Sequence, residues 1–436
     1  MSGSSVTSAE RGSIETHDCP LAGVPCGRRA FLVGAAAALL ASPALAAPLY
    51  DDRLLNPCYE AALPERLATH EIVRAAWDGI DPRQVSDVHV HLVGTGDSGQ
   101  GPWLSPRAWS FLHPVTWARR LVMTNAACAD RRAVDESFVT RLRQLAEAFP
   151  GGVKLMLLGF DYHHDGDGRP VPEESLFHVP DRYAAGVAAR LPQRFEWIAS
   201  IHPYRADAVE ALEAALQAGA LAVKWLPNAM GIDPASPRCD RFYAALARTH
   251  TPLLTHGGEE AAVDSAEAQE LGNPLRLRRA LEHGVRVIVA HCATLGKGID
   301  LDKGAQGPRV SNFLLFTRLM EDPRYARQLF GDISGIVQRN RAAEAFPALL
   351  HRTEWHPRLL WGSDYPLPGV LPLISVAGFA ERRLLAAGEV PVLNEIRGHN
   401  PILFDFVLKR RLAVGSTRFA PGVFETRRMF ERRSAG

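Results

Sequence analysis

The chain of 436 residues has almost no net charge: 49 basic and 48 acidic side chains leave +1. That balance gives no electrostatic basis for binding nucleic acid or an anionic membrane surface. Closely spaced cysteines are also missing. The six, at positions 19, 26, 58, 128, 239 and 292, include no C-x-x-C pair, which argues against zinc fingers and thioredoxin-type redox motifs. No G-x-G-x-x-G follows an early strand-like run, so an open doubly wound dinucleotide-binding sheet is disfavoured. What is present, 47% hydrophobic and 22% charged residues, is the makeup of a soluble globular protein with one large or two ordinary domains.

Residues 1–46 read as a leader. Gly27-Arg28-Arg29-Ala30-Phe31-Leu32-Val33 precedes an alanine-rich apolar stretch, and Ala44-Leu45-Ala46 offers a small-x-small cleavage site. The arrangement resembles a twin-arginine export signal. Its apolar core of about 12 residues is shorter than the roughly 20 that a stable bilayer span needs. The expectation is an exported periplasmic or otherwise extracytoplasmic protein, with no stable membrane insertion after cleavage. Four cysteines remain in the mature chain, and an oxidising compartment would let them pair. The sequence leaves open whether they do.

After an N-terminal arm, 47–84, short apolar runs alternate with helical patterns. The runs cover 85–92, 153–160, 195–202, 220–226, 252–256, 285–291, 329–334 and 358–363. Between them lie amphipathic stretches such as 205–217, 240–248, 274–283 and 342–350. Continuous apolar strands alternating with helices predict a parallel sheet covered by helices, and eight units fit an α/β (β/α)8 TIM barrel over 85–410. Segment 93–150 is too long for a simple connection and reads as an insertion after strand one. Its Trp103, Trp109, Phe111 and Trp117 suit plain packing, a substrate cap, or a contact between two copies in a homodimer. The arginine-rich segment 411–436 is expected to be an exposed tail.

The chemistry begins in Asp87-Val88-His89-Val90-His91. Alternate residues of a strand share a face, so His89 and His91 lie side by side about 7 Å apart, where one divalent ion could join them. Taken alone the pair could equally be two histidines bonded to backbone carbonyls. Later runs also end in potential ligands, at His256, His291 and Asp364, and a barrel gathers such strand ends around one cavity. With Val223-Lys224-Trp225-Leu226-Pro227, Thr255-His256-Gly257, Ala290-His291-Cys292, Gly362-Ser363-Asp364-Tyr365-Pro366 and Asn400-Pro401-Ile402-Leu403-Phe404, the set resembles the amidohydrolase superfamily. The similarity is to its amidohydrolase-related branch of metal-dependent hydrolases and decarboxylases, and it spans most of 85–408.

The resemblance implies metal ligands at His89, His91, His256 and Asp364, with zinc as the default ion and one ion preferred over two. Lys224 would join them only in a two-metal site, as a carboxylated bridge; otherwise it contacts substrate or forms an ordinary ion pair. Asp364 and His291 would be the catalytic residues, Asp364 moving the proton of a metal-activated water and His291 orienting it or polarising a carbonyl. Tyr204, Arg205 and Asn228 are substrate-binding candidates on the loops that should rim the cavity, and Arg205 could equally pair with Asp207 on its own helix. The 163–168 segment carries a partial calcium-loop pattern. The expected partner is a small molecule whose amide, ester or lactone bond is hydrolysed. The alternatives are non-oxidative decarboxylation of an aromatic or unsaturated acid and, from another class, a non-catalytic exported binding protein.

Overall fold

The computed structural model describes residues 54–260 and 265–431. The leader reading and the start of the arm lie outside the described residues.

All eight apolar runs contain strands: β1 (Ser86–His91), β2 (Lys154–Leu158), β3 (Phe195–Ile198), β4 (Val223–Trp225), β5 (Leu253–His256), β6 (Val287–Ala290), β7 (Leu329–Asp332) and β8 (Leu359–Leu360). They form two parallel ladders in chain order, β1-β2-β3 and β4-β5-β6-β7-β8. The ladders meet at both edges. Between β3 and β4 a parallel bridge joins Ala199 to Val223, and past β8 another joins Tyr365 to Val90. The second seam is reinforced where His91 N donates to Tyr365 O at 3.0 Å and Asp364 N to His89 O at 2.9 Å.

Two apolar clusters follow from this arrangement. The smaller takes side chains from every strand or its edge, including Val88, Met156, Leu158, Ile198, Ala222, Leu254, Ile288 and Leu360, with Phe330 packed against it. The larger lies between the strands and the helices. Simple alternation would put Val88 and Val90 on one face, yet Val88 belongs to the inner cluster and Val90 to the outer. The register of β1 against β2 shifts between Asp87 and Val90. Such a bulge re-aims side chains, and here it turns both histidines of β1 toward the interior side.

The covering helices include α1 (Pro114–Ala126), α2 (Val134–Glu147), α3 (Asp181–Arg190), α4 (Ala208–Gln217), α5 (Asp240–Arg248), α6 (Asn312–Glu321), α7 (Ala345–His351), α8 (Val390–His399) and α9 (Pro401–Arg411). In α4 the sequence AVEALEAALQ is made almost wholly of strong helix formers. In α5 Phe242, Tyr243 and Leu246 share the buried stripe. Helix α9 starts with Pro401 at its first position and Asn400 as cap, whose Oδ1 accepts from Leu403 N at 3.0 Å.

Segment 93–150 holds α1 and α2. Its glycine-rich start is wrapped on buried Asp135, whose Oδ1 accepts from Thr95 N at 2.7 Å and whose Oδ2 accepts from Ser98 Oγ at 2.6 Å. Trp109, Phe111 and Trp117 are exposed. A disulfide joins Cys58 to Cys128, while Cys239 and Cys292 are free and buried.

The C-terminal segment differs from the expected exposed tail. Residues 412–431 run back across the strands: Val423 O accepts from Trp361 N at 2.8 Å, Thr426 Oγ1 accepts from Ser86 N at 3.0 Å, and Met429 and Phe430 enter the inner cluster. The arginines read as solvent-facing are in part pins, since Arg427 donates to Gly152 O at 3.2 Å.

Candidate metal centre

The C-terminal strand ends bring together His89, His91, Lys224, His291, Asp332 and Asp364. His89 Nδ1 lies 2.6 Å from Asp332 Oδ2 on the end of β7. Burial, and then the nearby Lys224 charge, hold the His89 pKa far below its ordinary value. A neutral ring whose Nδ1–H is given to a carboxylate presents its Nε2 lone pair outward, as a metal-ligating histidine does. That Nε2 is 3.6 Å from Asp364 Oδ1, and His91 Nε2 is 3.2 Å from the same oxygen.

Asp364 is placed by backbone. Its φ is +62°, in the left-handed region that a residue with a side chain enters at a cost of about 1–3 kcal/mol. The hydrogen bond from Asp364 N to His89 O, and another from Ser363 N to Asp87 Oδ1 at 2.8 Å, hold the turn. Burial acts to raise the Asp364 pKa, but the hydrogen bond with His91 and the positive charge around it, Arg341 included, outweigh it and keep the carboxyl below its usual range. Its Oδ2 is sealed from solvent and has no hydrogen-bond partner among the described residues. Two imidazole nitrogens around Oδ1 of a buried carboxylate make a donor set that a divalent ion would satisfy, and they leave Oδ2 free for a proton.

A second group, His89, His291 and Asp332, has donor atoms equally close together. Its centre is filled. Ser334 Oγ sits 2.8 Å from Asp332 Oδ2, 2.8 Å from His291 Nδ1 and 3.2 Å from His89 Nδ1, so a hydroxyl occupies the place an ion would take. This group is therefore the support of the first. His291 continues into a left-handed run, with φ of +56°, +48° and +52° at His291, Cys292 and Ala293. Burial first, then the Arg341 charge, holds its pKa far below the ordinary value. Its Nδ1 is 3.0 Å from Ser334 O and 3.9 Å from Asp364 Oδ2.

Lys224 is buried with Nζ 3.3 Å from His89 Nε2. Burial pushes its pKa down to about 8 against the pull of Asp332 and Asp364. His256 reaches the same patch, its ring 5.2 Å from that of His291, but its Nε2 is 3.1 Å from Glu259 O and it is in neither three-residue group. The loop candidates make contacts of their own. Arg205 pairs with Asp207 at 2.8 Å and Asp161 at 3.3 Å. Tyr204 lies under the Arg238 guanidinium, and with Arg205 it lines a cavity of about 230 Å³ against α4 and α5. Asn228 Nδ2 donates to Gly258 O and Gln269 O, tying one loop to another. In the partial calcium loop, Asp165 Oδ1 accepts from Asp167 N and Arg169 N as a turn cap.

Sequence reasoning missed Asp332, Ser334 and Arg341. Asp332 carried a signal, because it ends an apolar run just as His256, His291 and Asp364 do.

Imidazoles and a carboxylate gathered at the C-terminal ends of parallel strands are the donor set of a metal-dependent α/β enzyme. The chain belongs to the amidohydrolase family, whose family model, described as Amidohydrolase, matches residues 87–402. No match is found among curated proteins. Among solved structures the chain is similar to a TIM-barrel protein from Bordetella bronchiseptica, with 15% identity, 72% of this chain and 99% of that one covered, and a TM-score of 0.42. It is also similar to 2,6-dihydroxybenzoate decarboxylase from Rhizobium, at 13% identity, 72% and 97% coverage and a TM-score of 0.38. A third likeness is to an enzyme assigned as a 2-pyrone-4,6-dicarboxylic acid hydrolase from Pseudomonas putida, at 15% identity, 65% and 82% coverage and a TM-score of 0.35.

Proposed function

We propose that the protein is a metal-dependent hydrolase acting on an amide, ester or lactone bond. The observation that carries the reading is the buried Asp364 carboxylate, its Oδ1 3.2 Å from His91 Nε2 and 3.6 Å from His89 Nε2 and its Oδ2 without a hydrogen-bond partner among the described residues. His89, His91 and Asp364 would hold the ion, with His256 added by a turn of its ring, and zinc suits this donor set. When bound, a divalent ion acidifies water and polarises a carbonyl oxygen. The chain's own residues then divide the remaining work. Asp332 and Ser334 keep His89 in one tautomer, and Asp364, a carboxylate of lowered pKa, accepts a proton at Oδ2 and returns it to the leaving group. His291, neutral by burial, orients the reacting carbonyl. Lys224, with its pKa pushed down to about 8, contacts substrate in the one-ion site and would bridge in a two-ion site.

The same reading takes the eight strands as one closed (β/α)8 barrel, supported by the two seam bridges, with 93–150 inserted over its mouth. It takes the protein as exported, supported by the twin-arginine-like leader and the Cys58–Cys128 disulfide. The test is to load the mature chain with zinc and assay amides, esters, lactones and aromatic acids in ¹⁸O-labelled water. Label entering the product acid, lost in Asp364→Asn, supports hydrolysis. Carbon dioxide release without label would establish the decarboxylase alternative, and ligand binding with no turnover the binding protein.

A further inference from the structure

Arg341, on the loop that follows β7, is the charged group near the metal centre that the reading above does not use. The residue is partly exposed, yet its Nη1 is sealed from solvent and has no hydrogen-bond partner among the described residues. Its guanidinium forms no ion pair among the described residues. The side-chain contact it makes is from Nε to Gln338 Oε1 at 3.2 Å. Asp364, Glu260 and Asp332 act on it only through longer-range attraction.

The guanidinium packs beside Gly335, whose φ is +65°. A Cβ at that position would lie 3.1 Å from Gln338 Nε2, 3.1 Å from His291 Nδ1 and 3.3 Å from Arg341 Nη2. Because Gln338 Oε1 is already given to Arg341, its Nε2 is left as a donor. The Gln338 amide N–H and the Arg341 guanidinium thus converge beside His291, at a glycine where any side chain would crowd them. Both groups donate and neither accepts, which is the composition of an anion site. The sealed Nη1 without a partner is a donor that a substrate anion would satisfy where no internal carboxylate does.

We propose that Arg341, supported by Gln338, anchors a carboxylate carried by the substrate. The substrate class is then a carboxylate-bearing amide, ester or lactone, its anionic group held on the β7 side while the scissile carbonyl faces His89, His91 and Asp364. This deepens the hydrolase reading and rests on it for the word substrate. The site itself is tested by binding alone.

The experiment is calorimetric titration of the zinc-loaded mature chain with glutarate and phthalate, each beside its monomethyl ester. One carboxylate is free to meet the ion and the second to meet Arg341. We expect each diacid to bind about tenfold or more tighter than its half-ester, the margin of a charge-assisted hydrogen bond. Arg341→Met should abolish that margin, Arg341→Lys should keep part of it, and Gln338→Leu should narrow it with zinc content unchanged. Should Arg341→Met fail to fold, the lysine and Gln338 variants carry the test. Equal affinity for diacid and half-ester in the wild type, or an undiminished margin in the folded variants, overturns the proposal. A margin present with no hydrolysis of any panel substrate overturns the hydrolase reading and leaves the anion site standing. Hydrolysis of neutral esters with no margin does the reverse.

Discussion

At the scale of single residues the site is a chain of supports. Asp332 accepts the Nδ1 proton of His89, which leaves His89 Nε2 facing the centre, and Ser334 links Asp332 to His291. A carboxylate behind a ligating imidazole fixes its tautomer and raises its basicity, and losing one typically weakens metal binding ten- to a hundredfold. We expect Asp332→Asn to lower zinc affinity by about that factor with little change in fold, as read by chelator competition. Unchanged affinity would make Asp332 a packing residue. His89, His91 and Asp364 were legible because strand alternation and strand ends announce them. Arg341 was not, because a loop carries no periodicity and its importance lies in a missing partner, which only coordinates reveal. A second residue shows how burial sets pH behaviour. Asp181, at the start of α3, has its pKa pushed up to about 7, chiefly by burial, with Asp161 nearby adding to it. A carboxyl raised in the folded state contributes most below its unfolded pKa near 4, and that contribution is lost as pH climbs to about 7. Asp181→Asn removes this titration. Its melting temperature relative to the wild type should therefore rise between pH 4 and 7 and level off above. The side chain keeps some exposure, so the change should not exceed about 2 kcal/mol.

Among elements, the eight strands were legible and the C-terminal segment was not, for one physical reason. A strand of Leu253-Leu254-Thr255-His256 type declares itself by a continuous apolar run bounded by turns. The closing segment scatters Phe419, Val423, Phe424, Met429 and Phe430 among arginines at no regular spacing, so nothing in its pattern separates a plug from a tail. Only the arrangement of the strands supplies the reason to fold back: the inner cluster of strand side chains needs a cover, and Met429 and Phe430, each 5% exposed, provide it. The bulge in β1 was hidden in the same way, since pairing register depends on β2 and not on the residues of β1 alone. Removing a large buried aromatic costs about 3–5 kcal/mol when the site cannot collapse. We expect Phe430→Ala to lower unfolding free energy by about that amount in urea titration, and truncation after residue 420 to cost more. A Phe430→Ala protein as stable as the wild type would show that the segment is applied loosely.

For the molecule as a whole, the arm before β1 and segment 93–150 after it are locked to each other. Asn56 N donates to Asn125 Oδ1 at 2.9 Å, Asn125 Nδ2 donates back to Asn56 O at 3.2 Å, and the Cys58–Cys128 bond closes the pair across 70 residues of sequence. The closed loop contains all of β1, so the bond restricts the unfolded chain where it must deliver His89 and His91. A crosslink over that separation stabilises by about 4 kcal/mol on the chain-entropy model, and natural ones commonly deliver about 2–4 kcal/mol. The double variant Cys58→Ser, Cys128→Ser should lose that much stability in denaturant titration, and reductant should impose the same loss on the wild type while leaving the variant unmoved. Cys239 and Cys292, buried and unbonded, should make no contribution to the difference. Because the lock ties the arm to α1 and not to the strand ends, zinc affinity per folded molecule should stay within about twofold of the wild type, well short of the ten- to a hundredfold loss expected from Asp332→Asn. A variant that holds its stability but loses its zinc would mean that the lock positions β1, and the division drawn here between scaffold and site would be wrong.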